Sequence, residues 1–138
     1  MAGLKQALDA YLWRAAEEPF AWGRRDCSLF PADWVLELCG DDPAAPWRGR
    51  YRTERGCRRL LKREGGLAAL MTRACVAAGM MDRPIARLEA GDVGLVIART
   101  ACAVELVPAI CTGGHGAAVR SQRGVIFGKA AWSQAWSI

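Results

Sequence analysis

Apolar residues recur every three or four positions through the first half of the chain and alternate in short runs through the second. Leu4, Ala7, Leu8, Tyr11 and Leu12 fall on one helical face, which predicts a helix over residues 3–16. Pro19 and Gly23 then mark a loop. A second helix is predicted from about Cys27 to Cys39, with Gly40 as its stop. Asp26 is placed to cap it, because a carboxylate accepts the unsatisfied N–H groups of a first turn. Pro31 is tolerable in that turn. Cys27, Phe30, Trp34 and Leu38 share one stripe, with Asp33 and Glu37 on the other side. Cys27 is therefore expected to face inward at a helix start.

Residues 41–56 carry prolines and glycines and read as a connection. Thr53 is expected to cap a short helix that runs through Arg63. "GGLAALMTRACVAAG" predicts another, with Leu67, Leu70, Met71, Ala74, Cys75 and Ala78 inward and Gly79 as its stop. "MMDRPIARLEAGD" reads as a linker. From Asp92 the period changes. "VGLVIA", "CAVELV", "AICT", "GAAVR" and "GVIFG" are short β-branched segments separated by Gly and Pro, the pattern of an antiparallel sheet. "TGGHGA" reads as a hairpin turn, and the tail "AAWSQAWSI" is expected to pack Trp132, Trp136 and Ile138 against the body. Helices first and strands after define an α+β class. A single domain over 1–138 is expected, its helical part at about 3–79 and its sheet part at about 91–138.

At 52% hydrophobic and 24% charged, the 138 residues have the composition of one globular domain. No apolar run approaches the ~20 residues of a membrane helix, so no membrane span is expected. The first residues turn polar too early for a signal peptide, so synthesis in a cytoplasm is expected. The net charge is +5, and arginines cluster in "WRGRYRTERGCRRLLKRE". That segment matches no nucleic-acid motif, and Glu54 and Glu64 interrupt it, so a nucleic-acid partner is disfavoured. Six cysteines without a C-x-x-C pair, and one histidine, do not make a zinc pattern, and no cofactor or metal is expected. Most of the cysteines are expected to be reduced, small and buried.

The chemistry concentrates in "PFAWGRRDCSLFPADWV". This stretch resembles the nucleophile segment of the NlpC-type cell-wall cysteine peptidases, in which an aromatic and Trp-Gly turn precedes Asp-Cys-Ser and an apolar helix. "EAGDVGLVIA" resembles the Gly-Asp strand of those enzymes. Together with "DDPAAPWRGRYRTERG" and the final "AWSI", nearly the whole chain is similar to a small family of phage and prophage tail-associated proteins of unknown function, distant NlpC-like domains. The resemblance implies a papain-like fold with Cys27 as candidate nucleophile, its acidity raised by a helix N-terminus and aided by Arg24 and Arg25.

It also implies where a base belongs. Active relatives open the strand after the Gly-Asp strand with histidine; the matching "LVPAICTGG" has Leu106 or Val107 there. His115 lies further on, in the hairpin turn. The tyrosine that assists the oxyanion in the family is matched by Phe20, which has no hydroxyl. Two functions follow from the resemblance. One is a structural or assembly protein of a phage or prophage tail tip with a degenerate peptidase fold, made in the host bacterial cytoplasm, residing in the virion tail and binding other tail proteins. The other is an active cysteine peptidase or amidase cutting peptidoglycan during entry, with Cys27 as nucleophile, His115 as base and Gln122 or Ser121 orienting it. Trp47, Arg48, Arg50, Tyr51 and Arg52 are the interface candidates, because aromatic and arginine residues together make protein-contact hot spots. The competing account ties these arginines to carboxylates of the same chain, such as Asp33, Glu37 or Glu54.

Overall fold

Four helices precede a six-stranded antiparallel sheet in the computed structural model, which describes residues 2–99 and 101–138. The helices are α1 (Ala2–Glu17), α2 (Phe30–Cys39), α3 (Glu54–Arg63) and α4 (Leu67–Ala77). The strands are β1 (Met81–Asp82), β2 (Val93–Arg99), β3 (Val104–Gly113), β4 (Gly116–Ser121), β5 (Gly124–Lys129) and β6 (Ala131–Ser137), in the order β1-β6-β2-β3-β4-β5. The α+β class expected from the sequence is the observed one. Among the described residues no helix is long and apolar enough to cross a membrane.

The predicted face of α1 is the buried one: Leu8, Tyr11 and Leu12 are in the core, joined by Ala15. Tyr11 stacks on Phe30 and lies against Trp34, each ring centroid 5.6 Å away, and its hydroxyl donates to the Phe30 carbonyl. Trp34 is fully buried, and its indole N–H donates to the Gly91 carbonyl at 2.9 Å. That bond ties α2 to the turn that enters β2. Val93, Ile110, Ala118 and Trp136 complete this core from the sheet. Arg120, on β4, crosses to the C-terminal end of α1 and donates to the Ala15 and Glu18 carbonyls. A second cluster, with Val96, Ala109, Cys111 and Trp132, fills the opposite face of the sheet. A third joins Tyr51, Cys57, Leu60 and Leu70 beneath α3 and α4.

Several elements differ from the sequence pattern. The second helix starts at Phe30 rather than near Cys27. The linker carries β1 and a 3-10 turn over Ile85–Arg87. "VELV" and "AICT" join in one strand that runs through Pro108, with Cys102 and Ala103 ahead of it. β4 pairs with β3 only from Ile110 onward, so β3 is a sheet edge at Pro108, where a missing N–H is tolerated. The tail does more than pack: it is β6, inserted between β1 and β2. Trp132 and Trp136 are buried as expected, but Ile138 is 46% exposed and Leu38 37%, so neither of these two joins the core. Thr53 caps α3 as expected, its hydroxyl accepting the Gly56 N–H at 3.0 Å.

Candidate functional site

The loop between α1 and α2 is organised around one carboxylate. Asp26 is fully buried and accepts four hydrogen bonds, from the N–H groups of Gly23 (2.9 Å), Ser28 (3.0 Å) and Leu29 (3.0 Å) and from the Tyr51 hydroxyl (2.6 Å). The first three close the turn that carries Cys27. Gly23 is required in that turn: its φ is +82°, and a Cβ there would sit 1.9 Å from the Tyr51 carbonyl oxygen. Asp26 therefore caps the turn at residues 27–29 and not α2 itself, which begins after Leu29 with no side-chain cap.

Cys27 lies in this turn, half-buried, at the wall of a groove of about 590 Å³. Trp22 and Ser28 flank it. Cys57, Arg58 and Leu61 of α3 form one side, and Leu106, Val107 and Pro108 of β3 the other. The two segments that the resemblance pairs as nucleophile and base therefore do share one cleft. Strand register separates the two candidate base positions. Leu106 alternates with Pro108 and Ile110, and Ile110 belongs to the core beneath α1 and α2. Val107 packs with the cluster on the opposite face of the sheet. Leu106 is the position on the Cys27 side.

The electrostatics of Cys27 differ from expectation. Burial, followed by the negative charge of Asp26, pushes its thiol up to about 11. A lowering by the helix was expected, and the geometry explains its loss. α2 begins three residues later, and hydrogen bonds from Ser28 lower the thiol by less than burial and the Asp26 charge raise it. Arg25 pairs with Glu18 at 2.9 Å, and Arg24 and Arg25 line a different cleft, bounded by Tyr11, Arg14, Asp33 and Arg120.

His115 is exposed in the turn between β3 and β4 and does not line the Cys27 groove. Its carbonyl accepts from Ala130 N–H and from the Trp132 indole. From Val107 to Gly113 the strand alone spans about 20 Å. Ser121 bonds within its own turn, its hydroxyl donating to the Gly124 carbonyl, and Gln122 is exposed beside it. Phe20 packs edge-on against Trp22, with centroids 4.9 Å apart, and Arg120 lies 6.0 Å from the Phe20 ring. Asp92, of the Gly-Asp pair, is buried, accepts the Glu89 N–H at 2.8 Å and pairs with Arg83 at 3.0 Å.

The interface candidates divide. Tyr51 is buried on Asp26. Arg48 pairs with Asp33 at 2.7 Å and with both oxygens of Asp42 at 2.8 and 3.0 Å, which is the intramolecular alternative for that residue. Trp47 is half-buried, with its indole N–H on Glu64 at 3.3 Å. Arg50 and Arg52 are exposed. The role of Tyr51 escaped the sequence reading because nothing local links it to a carboxylate 25 positions earlier. Among the cysteines, Cys57, Cys75 and Cys111 are buried, whereas Cys39 and Cys102 are exposed. Among the described residues no three His, Cys, Asp or Glu side chains are grouped to hold a metal ion.

Fold and site together define an α+β domain that presents a cysteine at the junction of its helices and its sheet. The family described as Domain of unknown function (DUF6950) matches residues 1–138, and the chain belongs to that family. No curated protein and no solved structure matches it.

Proposed function

We propose that this chain is a catalytically degenerate NlpC-like domain serving as a structural or assembly protein of a phage or prophage tail tip, where it binds other tail proteins. One observation carries the loss of catalysis: the groove that holds Cys27 meets Leu106 and Val107 on β3, and neither side chain accepts a proton. The thiol, pushed up to about 11, stays protonated at neutral pH, so the nucleophile lacks both its base and its own acidity. The helix–cleft–sheet arrangement supports the NlpC-like reading of the fold. The tail location rests on the sequence resemblance.

The test is genetic. In a prophage carrying this gene, deletion is expected to yield particles with defective or missing tail tips. Complementation with Cys27→Ala is expected to restore both assembly and infectivity. Restored assembly without infectivity would establish the peptidoglycan-cutting alternative. Normal tails after deletion would remove the assembly role.

A further inference from the structure

The positive charge of this protein is localised. Residues 50–63 carry seven cations and one carboxylate, a net +6 against +5 for the whole chain, so the remainder is slightly acidic. All seven, Arg50, Arg52, Arg55, Arg58, Arg59, Lys62 and Arg63, are exposed. Only Arg58 has an acidic partner among the described residues, Glu54 at 3.0 Å. The two carboxylates that interrupt this run in the sequence do not neutralise the rest. Glu54 is held by Arg58, and Glu64 is bound by Arg73 at 3.1 Å and by the Trp47 indole.

Helical geometry gathers the free charges. At 100° per residue, Arg55, Arg59, Lys62 and Arg63 of α3 fall within one quadrant or so of its surface, opposite the buried Cys57 and Leu60. Arg58 and Leu61 turn instead toward the Cys27 groove. The face holds no exposed aromatic and no apolar anchor, so it lacks the hot-spot composition of a tight protein interface. It also lacks the stacking rings by which single strands are held. What remains is a row of cations, the Lys62 ammonium and three guanidinium groups whose paired N–H donors fit phosphate oxygens.

We propose that the outer face of α3, with Arg50 and Arg52 at its entrance, docks on the sugar–phosphate backbone of double-stranded nucleic acid without reading its sequence. This goes beyond the cleft and its fate, and the proposal stands or falls separately from the tail-tip reading.

The experiment titrates fluorescently labelled duplex DNA with the purified full chain across a series of NaCl concentrations. Binding is expected at about 50 mM salt and is expected to weaken steeply as salt rises, with a log–log slope near −0.9 per phosphate contacted. The triple variant R55Q/R59Q/R63Q is expected to bind at least about tenfold more weakly and to flatten the slope by about 2 to 3 units. Circular dichroism melting verifies that it folds. The variant R123Q/K129Q removes two exposed cations of β5 and its turn, and is expected to bind as wild type. Poly-aspartate and a single-stranded oligonucleotide are the comparison ligands. The proposal is overturned if duplex does not bind at low salt, or if the folded triple variant binds it undiminished. Tighter binding of poly-aspartate would assign the face to an acidic protein surface instead, and tighter binding of the single strand would remove the duplex.

Discussion

Tyr51 donates its hydroxyl to Asp26 across 2.6 Å, joining the loop before α3 to the turn that carries Cys27. Both residues are buried, and the bond is charge-assisted. Tyr51→Phe keeps the ring and removes one of four donors to the carboxylate. The expected loss is about 1.5–3 kcal/mol in urea unfolding, with the fold retained. Asp26→Asn is expected to cost at least as much, since the amide offers one oxygen to partners that now use two. If Tyr51→Phe unfolded at the wild-type midpoint, the Asp26 cluster would not be the organiser of this loop.

The thiol of Cys27 gives a direct chemical readout. Burial and the Asp26 charge push it up to about 11, so alkylation by iodoacetamide is expected to be slow at neutral pH and to accelerate toward that value. Mass spectrometry of digested protein separates Cys27 from the exposed Cys39 and Cys102, which are expected to react first. Fast labelling of Cys27 near pH 7 would mean an activated thiol and would revive the enzymatic reading.

Restoring a base tests the register of the cleft. Leu106 lies on the Cys27 side of β3, and Val107 packs toward the opposite cluster. Leu106→His is expected to raise neutral-pH alkylation of Cys27 by roughly tenfold or more, as an imidazole partner promotes the thiolate. Val107→His is expected to leave the rate unchanged. Equal acceleration in both variants would show that strand alternation does not govern this side of the groove.

Much of this architecture is legible in the local pattern, and the losses have physical causes. α1 and α4 follow from apolar spacing, and the start of α3 from Thr53, because these signals act within a turn or two of chain. The sequence pattern places the start of α2 too early, because Asp-Cys-Ser looks like a helix entry. Asp26 does cap the turn there, but the regular helix waits until Phe30. The tail reads as a packing segment, yet its seat between β1 and β2 is fixed by pairings such as Val93 with Trp136, which no local pattern announces. At the site, Cys27 and the Leu106–Val107 segment that the resemblance sets opposite it line one groove. The Tyr51–Asp26 bond and the raised thiol depend on burial and on contacts distant in sequence.

Within the segment from Asp42 to Thr53, Arg48 and its exposed neighbours are expected to behave differently. Arg48 is held by Asp33 and Asp42, pushing the Asp42 carboxyl below its ordinary range through the paired hydrogen bonds. Arg48→Ala leaves two partly buried carboxylates facing each other without their cation, and a loss of about 1.5–3 kcal/mol is expected. Arg50→Ala with Arg52→Ala is expected to change stability by less than about 0.5 kcal/mol, as surface substitutions do. Failure of the folded double variant to enter tail particles would make these two arginines an interface. A collapse of its melting temperature would make them scaffold.

Alkaline pH tests the buried thiols as a group. Burial pushes Cys75 up to about 12 and Cys27 up to about 11, from an ordinary value near 9, and raises Cys57, Cys111 and the hydroxyls of Tyr11 and Tyr51 as well. In each case the folded state holds its proton more tightly than the unfolded chain. The unfolded chain therefore deprotonates first, and it gains stability relative to the native state as pH rises above about 9. Urea midpoints are expected to be level from neutral pH to about 8.5, then to fall continuously toward pH 11. Cys75→Ala is expected to lower the midpoint at neutral pH through lost packing, while making the alkaline decline shallower. A flat profile to pH 11 in the wild type would show that these groups do not titrate differently on unfolding. An unchanged slope in Cys75→Ala would remove that thiol from the linkage.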